Sequence, residues 1–177
     1  MPQGRHRAQR SSQYTQGTVQ LVGEHYFTLL EASPLPGVDY EVRERIFIGR
    51  GGKSRVDHVL GRISYDDLSS AAKAELPQVL EFIVAENEER FVRFFNEAPS
   101  LTPRMHSLEL IPGIGKRLMF NILELREREP FTSFEDLRSR AGLNDPVKMV
   151  ARRIIDELRG GEKYHLFARP YSSREEA

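Results

Sequence analysis

The chain has 177 residues and a mass of 20.4 kDa, room for one ordinary domain or two small ones but not for a large multidomain enzyme. Hydrophobic residues make up 39% and charged residues 29%, with 26 Lys and Arg against 26 Asp and Glu, so a bulk basic signal for nucleic acid is missing, while 10 Phe and 6 Tyr argue against wholesale disorder. The absence of cysteine excludes disulfide frameworks, thiolate zinc sites and cysteine nucleophiles, and no apolar run approaches the roughly 20 residues of a membrane helix or makes a secretory leader. A soluble, cytoplasmic protein without a membrane partner is expected.

Residues 1–13 are polar, carry Arg5, Arg7 and Arg10, and read as a flexible arm, either a solvated tail or one that orders on an RNA or DNA backbone. Residues 14–64 read as a small β module. Thr15 to Val22, Tyr26 to Leu30, Val42 to Ile48 and Val56 to Ile63 are short β-rich runs parted by Gly- and Pro-containing segments. The third run alternates most cleanly, with Val42, Ile46 and Ile48 on one face and Arg43, Arg45 and Phe47 on the other. Four such runs predict a twisted sheet or barrel.

The neutral total conceals a segregated charge pattern. Residues 43–62 hold Arg43, Arg45, Arg50, Lys53, Arg55 and Arg62 against only Glu44 and Asp57, whereas residues 66–99 hold an excess of acids. Residues 65–100 read as an acidic helical connector. Ser64 and Asp67 form a capping-type start, Pro77 is expected to divide the helical stretch, and Val79, Leu80, Ile83, Val84, Phe91, Phe94 and Phe95 recur at helical spacing.

Thr102-Pro103 has the form of an N-cap and first-turn proline, so residues 101–162 read as four short helices. Lys163 to Arg169 alternates again and is expected to be a final strand, with a tail after it.

The strongest local pattern is Ile111-Pro112-Gly113-Ile114-Gly115-Lys116-Arg117. Two glycines permit a sharp turn and keep side chains away from a ligand at a helix N-terminus, where unpaired N–H groups and the dipole favour an anion. Ile114 can pin the turn, and Lys116 and Arg117 add charge beside it. Such a construction holds a backbone phosphate and reads no base. The segment resembles the helix-hairpin-helix motif, in which hydrophobic-x-Gly-hydrophobic-Gly precedes Lys or Arg. Residues 131–160 resemble a second half of a tandem pair, but Asn144 replaces the second glycine and Asp145 brings a carboxylate to the phosphate position, which favours a structural hairpin, although Lys148, Arg152 and Arg153 could still flank a backbone.

Ile48-Gly49-Arg50-Gly51-Gly52-Lys53-Ser54-Arg55 ends like a nucleotide-binding P-loop, but Phe47 stands where that motif requires glycine and no helix follows. The segment reads instead as a basic hairpin tip, which with Arg43, Arg45 and Phe47 could track phosphates and stack one base, or else as an exposed solubilising loop. His6, His25, His58, His106 and His165 show no metal-ligand spacing, and no nucleophile–base pair stands out. No enzyme and no cofactor are read from these residues.

The order of the Ile-Gly-x-Gly hairpin at 48–51, then Gly61 to Leu68, the acidic connector and Leu110 to Lys116, resembles an archaeal family catalogued as domain of unknown function 655 and described as predicted RNA-binding proteins. The resemblance runs from Tyr14 to about Arg169. It implies an α+β fold in which a small N-terminal oligonucleotide-binding-like β-barrel is joined through a helical connector to a tandem helix-hairpin-helix domain. With no catalytic constellation read from the residues, the expected function is a non-catalytic nucleic-acid binder, and the resemblance implies that its ligand is structured RNA linked to translation or the ribosome. A DNA-repair accessory protein and a protein–protein adaptor with architectural hairpins are the alternatives.

Overall fold

The computed structural model describes residues 17–49 and 53–172; the expected basic arm and Arg50 lie outside them. The chain divides into two compact units, one made of residues 1–76 and 158–177 and the other of residues 77–157.

The first unit is built on an antiparallel sheet of three strands in the order β1 (Val19–Val22), β2 (Leu29–Pro34) and β3 (Val56–Arg62). Val19, Leu29, Ala32, Tyr40, Val56 and Leu68 are buried in this unit, and Phe27 is fully enclosed. Full burial of one such apolar side chain is worth about 1.5–3 kcal/mol. Two register shifts interrupt the β2–β3 ladder: Leu60 is passed over between Val59 and Gly61, and Asp57 between Val56 and His58.

This sheet is open, and no closed barrel exists among the described residues, which overturns the expected barrel. The cause lies in the run 42–48, which contributes no strand. Arg43 has φ 66°, a left-handed conformation that breaks an extended chain, and both Val42 and Ile48 are exposed, so the alternation has no apolar layer to pack on. The segment is tied down instead by side chains. Tyr40 Oη accepts from Leu35 N and donates to Arg55 O, while the Arg55 guanidinium lies over its ring at 5.7 Å. Lys163 to Arg169 is not a strand either; Phe167 and Ala168 are buried, and Arg169 N donates to Tyr26 O at 3.0 Å.

Helix α1 (Ser70–Glu86) contains the boundary at Leu76 and Pro77. Its cap is Ser69, whose Oγ accepts from Ala72 N, whereas Ser64 and Asp67 close a separate turn ahead of it. Pro77 sits inside this helix rather than dividing it, so only the bond from its missing N–H is lost.

The second unit continues with α2 (Glu88–Glu97), the short strands β4 (Ser100–Thr102) and β5 (Met105–His106), and a 3-10 turn at Ser107–Leu110. There follow α3 (Lys116–Arg128), α4 (Phe134–Ala141) and α5 (Pro146–Arg159). Thr102-Pro103 therefore opens a β turn and not a helix: Thr102 Oγ1 accepts from Arg104 N, the bond that was expected to cap a helix. Leu80, Phe91, Phe95, Leu108, Ile111, Ile122, Leu137, Val150 and Ile154 form the fully buried core of this unit. Within α5, Arg153 and Glu157 make a buried ion pair at 3.1 Å. The fold is α+β, with five α-helices and two small sheets among the described residues.

Candidate nucleic-acid interface

The turn between the 3-10 segment and α3 is formed by residues 111–115. Ile111 and Ile114 are buried, and Ile114 N donates to Ile111 O at 3.0 Å, which closes the turn over the core. Gly113 has φ +95°, where a β-carbon would be strained and would stand 3.3 Å from Met149 Cε. Gly115 differs. It is the N-cap of α3 with extended backbone (φ −90°, ψ −179°), and a β-carbon there would meet nothing within 4 Å. No side chain caps α3, so its first N–H groups are left without a side-chain acceptor at the positive end of the helix dipole.

The charges beside this N-terminus are unequal. Lys116 Nζ donates to Glu109 Oε1 at 3.1 Å and to Arg104 O at 3.3 Å. The Glu109 carboxyl titrates below its ordinary range, first because His106 N donates to it and then because of Lys116. Arg117 is exposed and makes no ion pair among the described residues. The β4–β5 turn also brings the backbone of Arg104 against Lys116, with the Arg104 side chain exposed. The helical reading of Thr102-Pro103 hid this third cation. Phe120, one turn along α3 from Lys116, leaves its ring 62% exposed.

The second turn, residues 142–145, has the same outline with different chemistry. Gly142 closes α4 at φ +77°, its N–H donating to Arg138 O, and Leu143 is buried. Asp145 occupies the place of Gly115, one residue later than the sequence spacing suggested, and its Oδ1 accepts from Lys148 N at 3.1 Å. The carboxylate thus takes up the amide that an anion would need.

In the sheet unit the expected basic segment is largely neutralised by its own chain. Arg43 pairs with Glu75 at 2.7 Å, Arg45 with Glu24 at 2.6 Å and Arg55 with Glu44 at 2.8 Å. Lys53 is exposed, and Phe47 holds its ring over Gly49, 58% exposed. These residues belong to the sheet unit, and the first turn belongs to the other. Among the described residues no group of three or more His, Asp or Glu could hold a metal, and no helix is long and apolar enough to cross a membrane.

An open three-stranded sheet unit and a helical unit with one uncapped turn define an α+β protein of a known structural type. The chain resembles the crystal structure of Af1531 from Archaeoglobus fulgidus, with a TM-score of 0.80 and 45% identity over 86% of this chain and 85% of that one. It is also 46% identical over 153 residues to the uncharacterized protein MJ0038 of Methanocaldococcus jannaschii, covering 85% of this chain and 70% of that protein. Residues 1–169 match the family described as protein of unknown function DUF655, and the chain belongs to that family.

Proposed function

We propose that the protein is a non-catalytic nucleic-acid-binding protein that grips backbone phosphates at residues 113–117. The observation that carries this reading is the contrast between its two turns. The first leaves the α3 N-terminus uncapped at Gly115 with Arg104, Lys116 and Arg117 around it, whereas Asp145 closes the second. A phosphate oxygen is the kind of group that uncapped N–H groups and flanking cations bind, and such contacts position a backbone without reading sequence. On this reading the two turns are helix-hairpin-helix elements, of which only the first holds nucleic acid. RNA, in the cytoplasmic setting of translation, is favoured over DNA by the family resemblance rather than by any residue at the turn.

Competition binding of the full chain tests this directly. Structured RNA should displace a labelled RNA probe more effectively than duplex DNA, with affinity falling as salt rises. Preference for duplex DNA would move the protein to the repair class, and binding to neither would leave the turns architectural.

A further inference from the structure

The C-terminal segment is fastened across the sheet unit by its main chain. Arg169 N donates to Tyr26 O in the β1–β2 loop, and Arg62 Nη2, at the end of β3, donates to Pro170 O at 3.0 Å and to Arg169 O at 3.4 Å. This fastening uses the segment's main chain and the Arg62 guanidinium, and leaves the rings beside it outward. Tyr26 is 65% exposed and Tyr171 42% exposed. The Arg62 guanidinium lies 5.9 Å from the centroid of the Tyr171 ring, and Arg169 is exposed on the same segment. Val59 and Leu60, just ahead of Arg62 on β3, are exposed as well. Of the acids that precede these groups in sequence, Glu24 is held by Arg45, and Asp57 lies 2.7 Å from His58 Nδ1.

Two outward rings on backbone fixed by hydrogen bonds, one with the Arg62 guanidinium beside it and both close in the chain to the exposed Arg169 or bonded to its main chain, suit a ligand that alternates flat apolar faces with negative charge. Unpaired nucleotides have that pattern, whereas a duplex hides its base faces in the stack. We propose that Tyr26, Arg169 and Tyr171 form a platform for single-stranded nucleic acid, with bases stacked on the tyrosines, a phosphate held by Arg169, and Arg62 fixing the segment that carries them. The proposal rests on the nucleic-acid reading above and gives the sheet unit its own ligand class, unpaired strand, separate from the phosphate grip at residues 113–117.

The test uses the full chain with two probes, a short fluorescein-labelled oligouridine and an RNA duplex of equal length, followed by anisotropy. The double variant Tyr26→Leu/Tyr171→Leu keeps apolar bulk but removes the flat rings, and should melt with the parent. It should bind oligouridine about tenfold more weakly per base no longer stacked, with duplex affinity changed less than twofold. Tyr26→Trp/Tyr171→Trp should hold or exceed parental affinity for oligouridine. If the parent binds oligouridine and the leucine variant matches it, or if the tryptophan variant is as weak as the leucine one, the platform is wrong while the nucleic-acid reading stands. A parent chain that binds neither probe at low salt removes both.

Discussion

Lys116 and Glu109 are joined at 3.1 Å, so the lysine that follows the two glycines of the first turn is held by a carboxylate of its own chain. An ion pair with one partner this exposed is weak and opens readily. Glu109 therefore competes with any phosphate for Lys116.

Removing that competitor should tighten binding. Glu109→Gln keeps an acceptor for His106 N but loses the charge, and nucleic-acid affinity should rise severalfold at low salt. Lys116→Gln should lower it only modestly, because the amides, Arg104 and Arg117 remain. Arg117→Gln should cost more than Lys116→Gln, since Arg117 has no ion pair to give up. Salt-dependent titrations of the three variants check the ranking, and a weaker Glu109→Gln would show that the pair builds the site.

The two glycines of that turn should separate stability from binding. Gly113→Ala forces a β-carbon onto a φ of +95° and against Met149, and should destabilise the chain by about 1 kcal/mol or more. Gly115→Ala has ordinary extended backbone and open space, so its melting temperature should stay with the parent while binding falls. Equal melting losses for both would mean that the Gly115 side of the turn is also under strain.

Arg140 closes the far end of α3. Its guanidinium donates to Glu129 O at 2.7 Å, Leu125 O at 3.3 Å and Asp136 Oδ2 at 2.9 Å, and lies 4.6 Å from the Phe131 ring centroid. Arg140→Ala should cost about 1–2 kcal/mol by removing these charge-assisted bonds and the ring contact. Arg140→Lys should recover only part of it, because an ammonium cannot span the same fork. Urea midpoints measure both.

The His106 ring gives stability a specific pH dependence. Nδ1 accepts from Leu108 N, and burial, followed by the nearby Arg126 charge, holds the ring below its ordinary pKa of 6.5, with Glu109 acting in the opposite sense. The unfolded chain thus takes up this proton at higher pH than the folded one. The stability that the neutral ring contributes is present above about 6.5 and is lost progressively as pH falls toward the lower folded value. His106→Asn keeps an acceptor for the turn and does not titrate, so the difference in urea midpoint between pH 7.5 and 5.5 should shrink.

What the sequence made legible is uneven, and the reasons are physical. Gly113, Ile114 and Gly115 could be placed because a tight turn into a helix imposes local demands on each residue. Asp145 likewise announced its helix, since a cap is a bond between near neighbours. Thr102 misled for the same reason: its hydroxyl makes the same local bond in a β turn, and only pairing between β4 and β5 decides the outcome. The alternation from Val42 to Ile48 failed because a strand needs an apolar layer beneath it. The partners of its arginines, Glu24 and Glu75, are supplied from distant parts of the chain. Glu109 stood only seven residues before Lys116, but its role emerged only once β5 and the 3-10 turn were set.

The passed-over residues of β3 bear on how the protein behaves when concentrated. β3 lies at the sheet margin, and its exposed Val59 and Leu60 would otherwise make it a ready template for another molecule's strand. Templating requires an even row of amides and carbonyls, and shifts at Asp57 and Leu60 break that row twice in seven residues. An incoming strand would find its register lost after two or three bonds. A sheet left open on this side can therefore remain dispersed without a fourth strand to cover it.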